Sequence, residues 1–137
     1  MTDAEIVRSV CDDTARLHRE VGDTRADAIV AAATLVAGAV GAGRRVLVFG
    51  NGGSAADAQH FAAELVGQFS RTVSRPAWPV LALVSDPATT LAVANDFGFE
   101  AVFARQIEAF GTTGDVAVAI TTSGTSANVN AGLRRAR

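Results

Sequence analysis

Cysteine is almost missing: Cys11 is the single one in 137 residues, so no internal disulfide can form, and no Cys/His cluster has zinc-finger spacing. A reducing compartment is the expectation. Charge is sparse as well, at 19% of residues with a formal net charge of -2, and there is no clustered basic footprint of the kind that nucleic acid or an acidic membrane surface requires. Neither is expected as a partner. The opening stretch MTDAEIVRSV lacks the basic start and apolar run of a signal peptide, and no uninterrupted apolar stretch reaches the length of a membrane span. A soluble, cytoplasmic protein is expected, without internal repeats or low-complexity tracts.

What is abundant is apolar: 49% of the residues are hydrophobic and 13 are glycine, the balance of a compact α/β protein. The length suits one domain, 1–137, with N-terminal helices over about 3–41 and an α/β core over about 44–137. Ile6, Val7, Val10, Leu17 and Val21 recur at helical spacing, with Asp3 placed to cap, so a first helix is expected over Ala4 to Val21. "GDT" reads as a break. A second helix from Ala26 to Val40 carries Ile29, Val30, Leu35, Val36 and Val40 with hardly a polar face, so it must be covered on most sides by this subunit or by another.

Three short β-branched runs follow: "RRVLVFG" ending at Gly50, "VLALV" from Val80 to Val84, and "VAVAIT" from Val116 to Thr121. Helices are expected between them, one through Leu91 and Val93, one from Glu100 to Phe110, and a last one beginning near Ser126. This alternation predicts a doubly wound parallel sheet flanked by helices, with ligands at the carboxyl ends of its strands. Three strands make a thin sheet with an edge uncovered.

Each strand end carries a polar loop. "GNGGS" (Gly50 to Ser54) is a tight glycine turn whose backbone amides, at the start of a helix, suit a phosphate or a sugar hydroxyl. It also matches the dinucleotide fingerprint G-x-G-x-x-A, with Asp86 as a ribose-binding acid, but Asp86 lies well beyond the roughly twenty residues of the usual spacing. A glycine turn that merely packs is the plain alternative. "TTSGTS" sets Thr121, Thr122, Ser123, Thr125 and Ser126 at a strand end and helix start, more hydroxyls than a single cap uses. Without a Walker lysine, a phosphate monoester fits better than a nucleoside triphosphate, and no nucleotide cofactor is expected.

Between these loops in sequence, His60 and Glu64 stand four residues apart on one helical face. A carboxylate held in a partly desolvated pocket can take a proton from a carbon beside a carbonyl, the step that interconverts aldose and ketose. The same pair could be an ordinary exposed contact, or two ligands of a metal that needs at least one more. His18 lies on the polar side of the first helix. Asn95 and Asp96 precede the Gly98 turn as turn formers or caps, while Cys11 and Trp78 read as packing residues.

The segments "VLVFGNGGSAADAQHFAAELVGQF", "VANDFGFEAVFARQIEAFG" and "GDVAVAITTSGTSANV" resemble, in order and spacing, the sugar isomerase (SIS) domain of phosphoheptose isomerases. The resemblance implies the SIS fold, here lacking its C-terminal strands, and a homotetramer with active sites at subunit interfaces. It implies conversion of sedoheptulose 7-phosphate to D-glycero-D-manno-heptose 7-phosphate through an enediol, as the entry step to heptose. Carried over by position, it assigns Asn51, Gly52, Gly53 and Ser54 to a substrate loop, Asn95 and Asp96 to further substrate contacts, and Thr121, Thr122, Ser123 and Ser126 to a phosphate loop. Glu64 matches the catalytic base, and His60 with Glu64 match two ligands of a zinc site found in some members. Ala63 stands where many members have a second Glu, and members continue past the matched region with a helix whose Gln and His supply further metal ligands and a second acid/base. A non-catalytic SIS domain that binds sugar phosphate or acts as a scaffold, like the DnaA initiator-associating protein, is the alternative.

Overall fold

A computed structural model describes all 137 residues. The chain forms α1 (Asp3–Gly41), β1 (Val46–Gly50), α2 (Gly53–Val66), β2 (Val80–Ala82), α3 (Pro87–Phe97), a 3-10 turn (Phe99–Ala101), α4 (Val102–Phe110), β3 (Val116–Ile120) and α5 (Ala127–Arg135). Two compact units are distinguished, residues 1–35 and 36–137.

Residues 1–35 are helical almost throughout. The two N-terminal helices expected from the sequence are one, because Gly22 costs a helix only about 1 kcal/mol and Thr24 returns its hydroxyl to the Glu20 carbonyl at 2.7 Å. The cap is Thr2 rather than Asp3: Thr2 Oγ1 accepts from the Glu5 amide, and Glu5 Oε2 accepts from the Thr2 amide, a reciprocal capping box. His18 is exposed on this helix, its Nδ1 2.8 Å from the Thr14 carbonyl. Nothing along α1 is buried within the chain, and Ile29, Val30 and Leu35 are each more than half exposed. Cys11, expected to pack, is exposed too. By length and composition α1 is apolar enough to cross a membrane, with an 18-residue window of mean hydropathy 1.3, although Asp27 and Thr34 interrupt its apolar run.

In residues 36–137 the three strands pair in parallel in the order β2-β1-β3. β1 is buried along its whole length, and its alternate side chains feed two cores. Leu47 and Phe49 join Leu83, Val102, Phe103, Ile107 and Val129 under α4 and α5. Val46 and Val48 join Ala58, Val80 and Ala82 under α2, with Val36 and Val40 of the last turns of α1 against them. Both faces of the central strand are thereby covered, as a parallel sheet requires. The Phe49 and Phe103 rings lie 4.9 Å apart in a tilted pair at the centre of the first core. β2 ends at Ala82, two residues before the expected Val84, and β3 ends at Ile120 rather than Thr121. The helix expected from Glu100 opens as the 3-10 turn before α4.

One carboxylate ties the beginnings of β1 and β3 together. Asp115 Oδ1 accepts from the Arg45 amide at 2.8 Å, and Oδ2 accepts from the Thr112 amide and hydroxyl, each at 3.0 Å. Its side chain is 6% exposed, with Arg45 Nε 3.5 Å away. Burial pushes this carboxyl up, but the two amides, the Thr112 hydroxyl and the Arg45 charge together outweigh it and hold the group below its ordinary value of 3.8. A lowered folded-state value means that the stabilisation is complete above the unfolded value and fades as pH falls through the folded one. Asp115→Ala is expected to cost about 1–3 kcal/mol in urea unfolding at pH 7, and the gap between variant and parent should close as pH is lowered below about 4.

Candidate active site

Gly50 and Ile120 are register partners, so β1 and β3 end level and the glycine and hydroxyl loops leave the sheet side by side. A Cβ on Gly50 would stand 2.6 Å from the Ile120 carbonyl oxygen and 2.9 Å from that of Ser54, so only glycine permits this approach. Gly52 has φ of 56°, the left-handed region that glycine enters without strain. It precedes α2, whose start has no side-chain cap, so the amides that open the helix keep their outward donors. Gly50, Asn51, Gly52 and Ala55 form one wall of a hollow of about 320 Å³, facing Pro87, Thr90 and Leu91 of α3 and Phe99.

The hydroxyl loop is exposed except at Ser126, which is partly buried. Within it, Thr121 Oγ1 accepts from the Gly124 amide, and Ser123 Oγ accepts from the Thr125 amide and hydroxyl, each at 3.2 Å. Ser126 occupies the N-cap position of α5 but gives it no side-chain bond; the Val129 amide in the first turn is instead accepted by Asn128 Oδ1 at 2.9 Å. The two loops are also joined by a residue that the sequence did not single out. Asn51 and Asn128 exchange side-chain hydrogen bonds, both at 2.8 Å.

His60 and Glu64 share a face of α2, with His60 Nε2 3.2 Å from Glu64 Oε1. They line a trough of about 460 Å³ with Asp57, Phe61, Leu65, Phe69 and Ile120. Ile120, the last residue of β3, lines this trough together with Glu64, and Thr121 follows it in the chain, but no residue of the hydroxyl loop itself lines the trough. The glycine loop belongs to a different hollow: Glu64 lies eleven residues beyond Gly53, about 16 Å along the helix at 1.5 Å per residue. The Glu64 side chain is 37% exposed, less enclosed than a desolvated pocket would make it, and His60 is 74% exposed.

Arg75 steadies this end of α2, donating to the carbonyls of Glu64 at 2.7 Å and Leu65 at 2.8 Å, with its guanidinium stacked 4.9 Å over the Trp78 ring. Trp78 thus packs, as expected, though against a cation. No third His, Cys, Asp or Glu joins His60 and Glu64 in a metal-binding group, so the chain alone offers two donors where a catalytic zinc takes three protein ligands. Asn95 and Asp96 fall inside the last turn of α3, not in the turn after it, and are exposed, Asn95 Nδ2 donating to Asp96 Oδ1 at 2.8 Å. The structure brings them into neither hollow.

Asp86 caps α3. Its Oδ1 accepts from the amides of Ala88 and Thr89, and its Oδ2 accepts from the Thr89 hydroxyl. The Thr89 hydroxyl and the two amides hold this carboxyl below its usual range. A carboxylate so occupied is not presented to a ribose, and the dinucleotide alternative loses its acid.

A family model described as the SIS domain matches residues 11–137. The phosphoheptose isomerase of Aquifex aeolicus is 47% identical over 132 residues, 96% of this chain and 68% of that protein. The chain belongs to the phosphoheptose isomerase family of SIS domains. The family's enzyme from Geotalea uraniireducens is 47% identical over 127 residues, 93% of this chain and 66% of the relative. Among solved structures, the phosphoheptose isomerase of Francisella tularensis superposes with a TM-score of 0.93 at 36% identity, covering 99% of this chain and 70% of that one. That of Neisseria gonorrhoeae gives 0.90 at 38%, covering 98% and 69%. The chain spans about two thirds of the length of the phosphoheptose isomerases it matches. The open parallel sheet with helices on both faces is the fold of these relatives.

Gly50→Ala should cost about 1–3 kcal/mol, because the atoms that a Cβ meets include two backbone oxygens that cannot swing away. A lowered urea midpoint with an unchanged denaturant slope is the expected result.

Proposed function

We propose that this chain carries the proton-transfer and phosphate-holding parts of a phosphoheptose isomerase, interconverting sedoheptulose 7-phosphate and D-glycero-D-manno-heptose 7-phosphate. The observation that carries this reading is the trough lined by both Glu64 and Ile120, the residue that immediately precedes the hydroxyl loop. A phosphosugar with its phosphate among Thr121, Thr122, Ser123 and Ser126 and its carbon chain along the trough would bring the carbonyl end towards His60 and Glu64. Membership in a family of isomerases favours catalysis over a purely binding or scaffold role.

The chemistry asked of Glu64 is modest. Its carboxylate takes a proton from C1 of the ketose, the electron pair forms the C1–C2 double bond of an enediol, and the carboxylic acid returns the proton to C2. The hydroxyl proton passes from O1 to O2, so the product is the aldose with no net gain or loss. His60, 3.2 Å from Glu64, is placed to orient that carboxylate, its Nε2–H donating in the tautomer that carries the proton there. The donors of the phosphate loop act by position, fixing the far end of the substrate so that C1 stays within reach of the base.

We further propose that the enzyme is a homotetramer and that neighbouring copies cover the trough, where Phe69 is 79% exposed, and the apolar residues of α1. His60 and Glu64 would then supply two donors to a zinc site completed by other ligands, where a bound ion would polarise the substrate's oxygens.

The test is Glu64→Gln. Turnover of sedoheptulose 7-phosphate should fall by a factor of at least about 10³, while sugar-phosphate binding measured by calorimetry stays within about threefold of the parent. A variant that turns over at the parental rate would show that another group moves the proton.

A further inference from the structure

Capping accounts for only part of what Asn128 does, since its bonds to Asn51 reach outside α5. Asn128 is the second residue of α5 and is 3% exposed, in a position where most polar side chains would face water. Its Oδ1 accepts from both Asn51 Nδ2 and the Val129 amide, and its Nδ2 donates to Asn51 Oδ1 at 2.8 Å. A buried carboxamide with donor and acceptor both satisfied is stable only while its partner stays in place, since losing the partner strands both groups. The partner is 77 residues away in sequence and sits at the crown of the glycine turn. The two side chains therefore form a clasp between the loop after β1 and the helix that follows the loop after β3.

We propose that Asn128 is a positioning residue for substrate, holding the glycine loop against the start of α5 so that the hydroxyl loop between β3 and α5 keeps its donors in place for the phosphate; this rests on the sugar-phosphate reading above. Two further contacts agree with such coupling. Gly50 lies against the Ile120 carbonyl, so the loops begin in contact, and Asn130 Nδ2 donates to the Gly124 carbonyl at 3.1 Å, fastening the hydroxyl loop to α5 from its other side. Asn128 and Asn130 together make the start of α5 a rigid mount for both loops. Hydroxyl and amide donors gain from such mounting because a dispersed set must be ordered at the moment of binding, and that ordering subtracts from affinity.

The experiment is a double-mutant cycle on the full chain with Asn51→Ala, Asn128→Ala and both, reading KM and kcat for sedoheptulose 7-phosphate and the inhibition constant of inorganic phosphate. Each single change is expected to raise KM and the phosphate constant about tenfold, with kcat within about threefold, and the double variant is expected to be no worse than the worse single one. Asn128→Ser, which keeps a hydroxyl for the Val129 amide but cannot reach Asn51 in the paired geometry, should reproduce the affinity loss with a smaller fall in melting temperature. That variant guards against a cycle spoiled by misfolding. If the single effects multiply in the double variant, or if Asn128→Ser lowers the melting temperature while KM and the phosphate constant stay parental, the residue is only structural and the proposal is overturned. A parent that neither turns over nor binds the heptulose phosphate overturns the functional reading and the clasp's role with it, whereas an active parent with unaffected variants overturns the clasp alone.

Discussion

The site depends on the level ending of β1 and β3, which the Gly50 contact with the Ile120 carbonyl makes possible. Parallel strands with matched register deliver their following loops to one edge of the sheet, and the loops can cooperate only if the strands can approach without side-chain interference there. Asp115 performs the complementary task at the opposite edge, tying the amide of Arg45 to the turn that starts β3. Between a carboxylate anchor below and a glycine contact above, the two strands have little freedom to slide.

From that constraint the division of labour follows. The glycine turn leads into a helix start with no side-chain cap, the hydroxyl loop leads into α5, and α2 carries the Glu64 carboxylate away from the glycine turn to line a trough. Arg75, bonded to the carbonyls of Glu64 and Leu65, occupies the last carbonyls of α2 at the end that carries Glu64.

Much of this was legible in the sequence because it is local. "RRVLVFG" reads as a buried strand and "GNGGS" as the glycine turn that follows it, and His60 and Glu64 at i and i+4 share a helical face. The failures are equally physical. The break at "GDT" was misplaced because one glycine in an otherwise good helix is a minor defect, and Thr24 can spend its hydroxyl on the preceding turn. Asn95 and Asp96 looked like turn residues because their neighbour Gly98 is one, yet α3 continues through them to Phe97. Asn128 left no trace in periodicity or composition, since its meaning lies in a partner 77 residues upstream; the available hint was a carboxamide on the inward face of a short helix. The desolvation expected around Glu64 is not met within this chain, where its side chain is 37% exposed.

The capping box at Thr2 and the 39 residues of α1 have a thermodynamic corollary. Residues 3–35 of α1 bury no side chain and draw on intrinsic propensity, while residues 36–137, the last turns of α1 included, have a packed core, so heating the isolated chain should dissolve the two units at separate temperatures. A calorimetric enthalpy larger than the van't Hoff value would be the signature of that decoupling, and a single sharp endotherm would reveal that α1 is clothed by something else in solution.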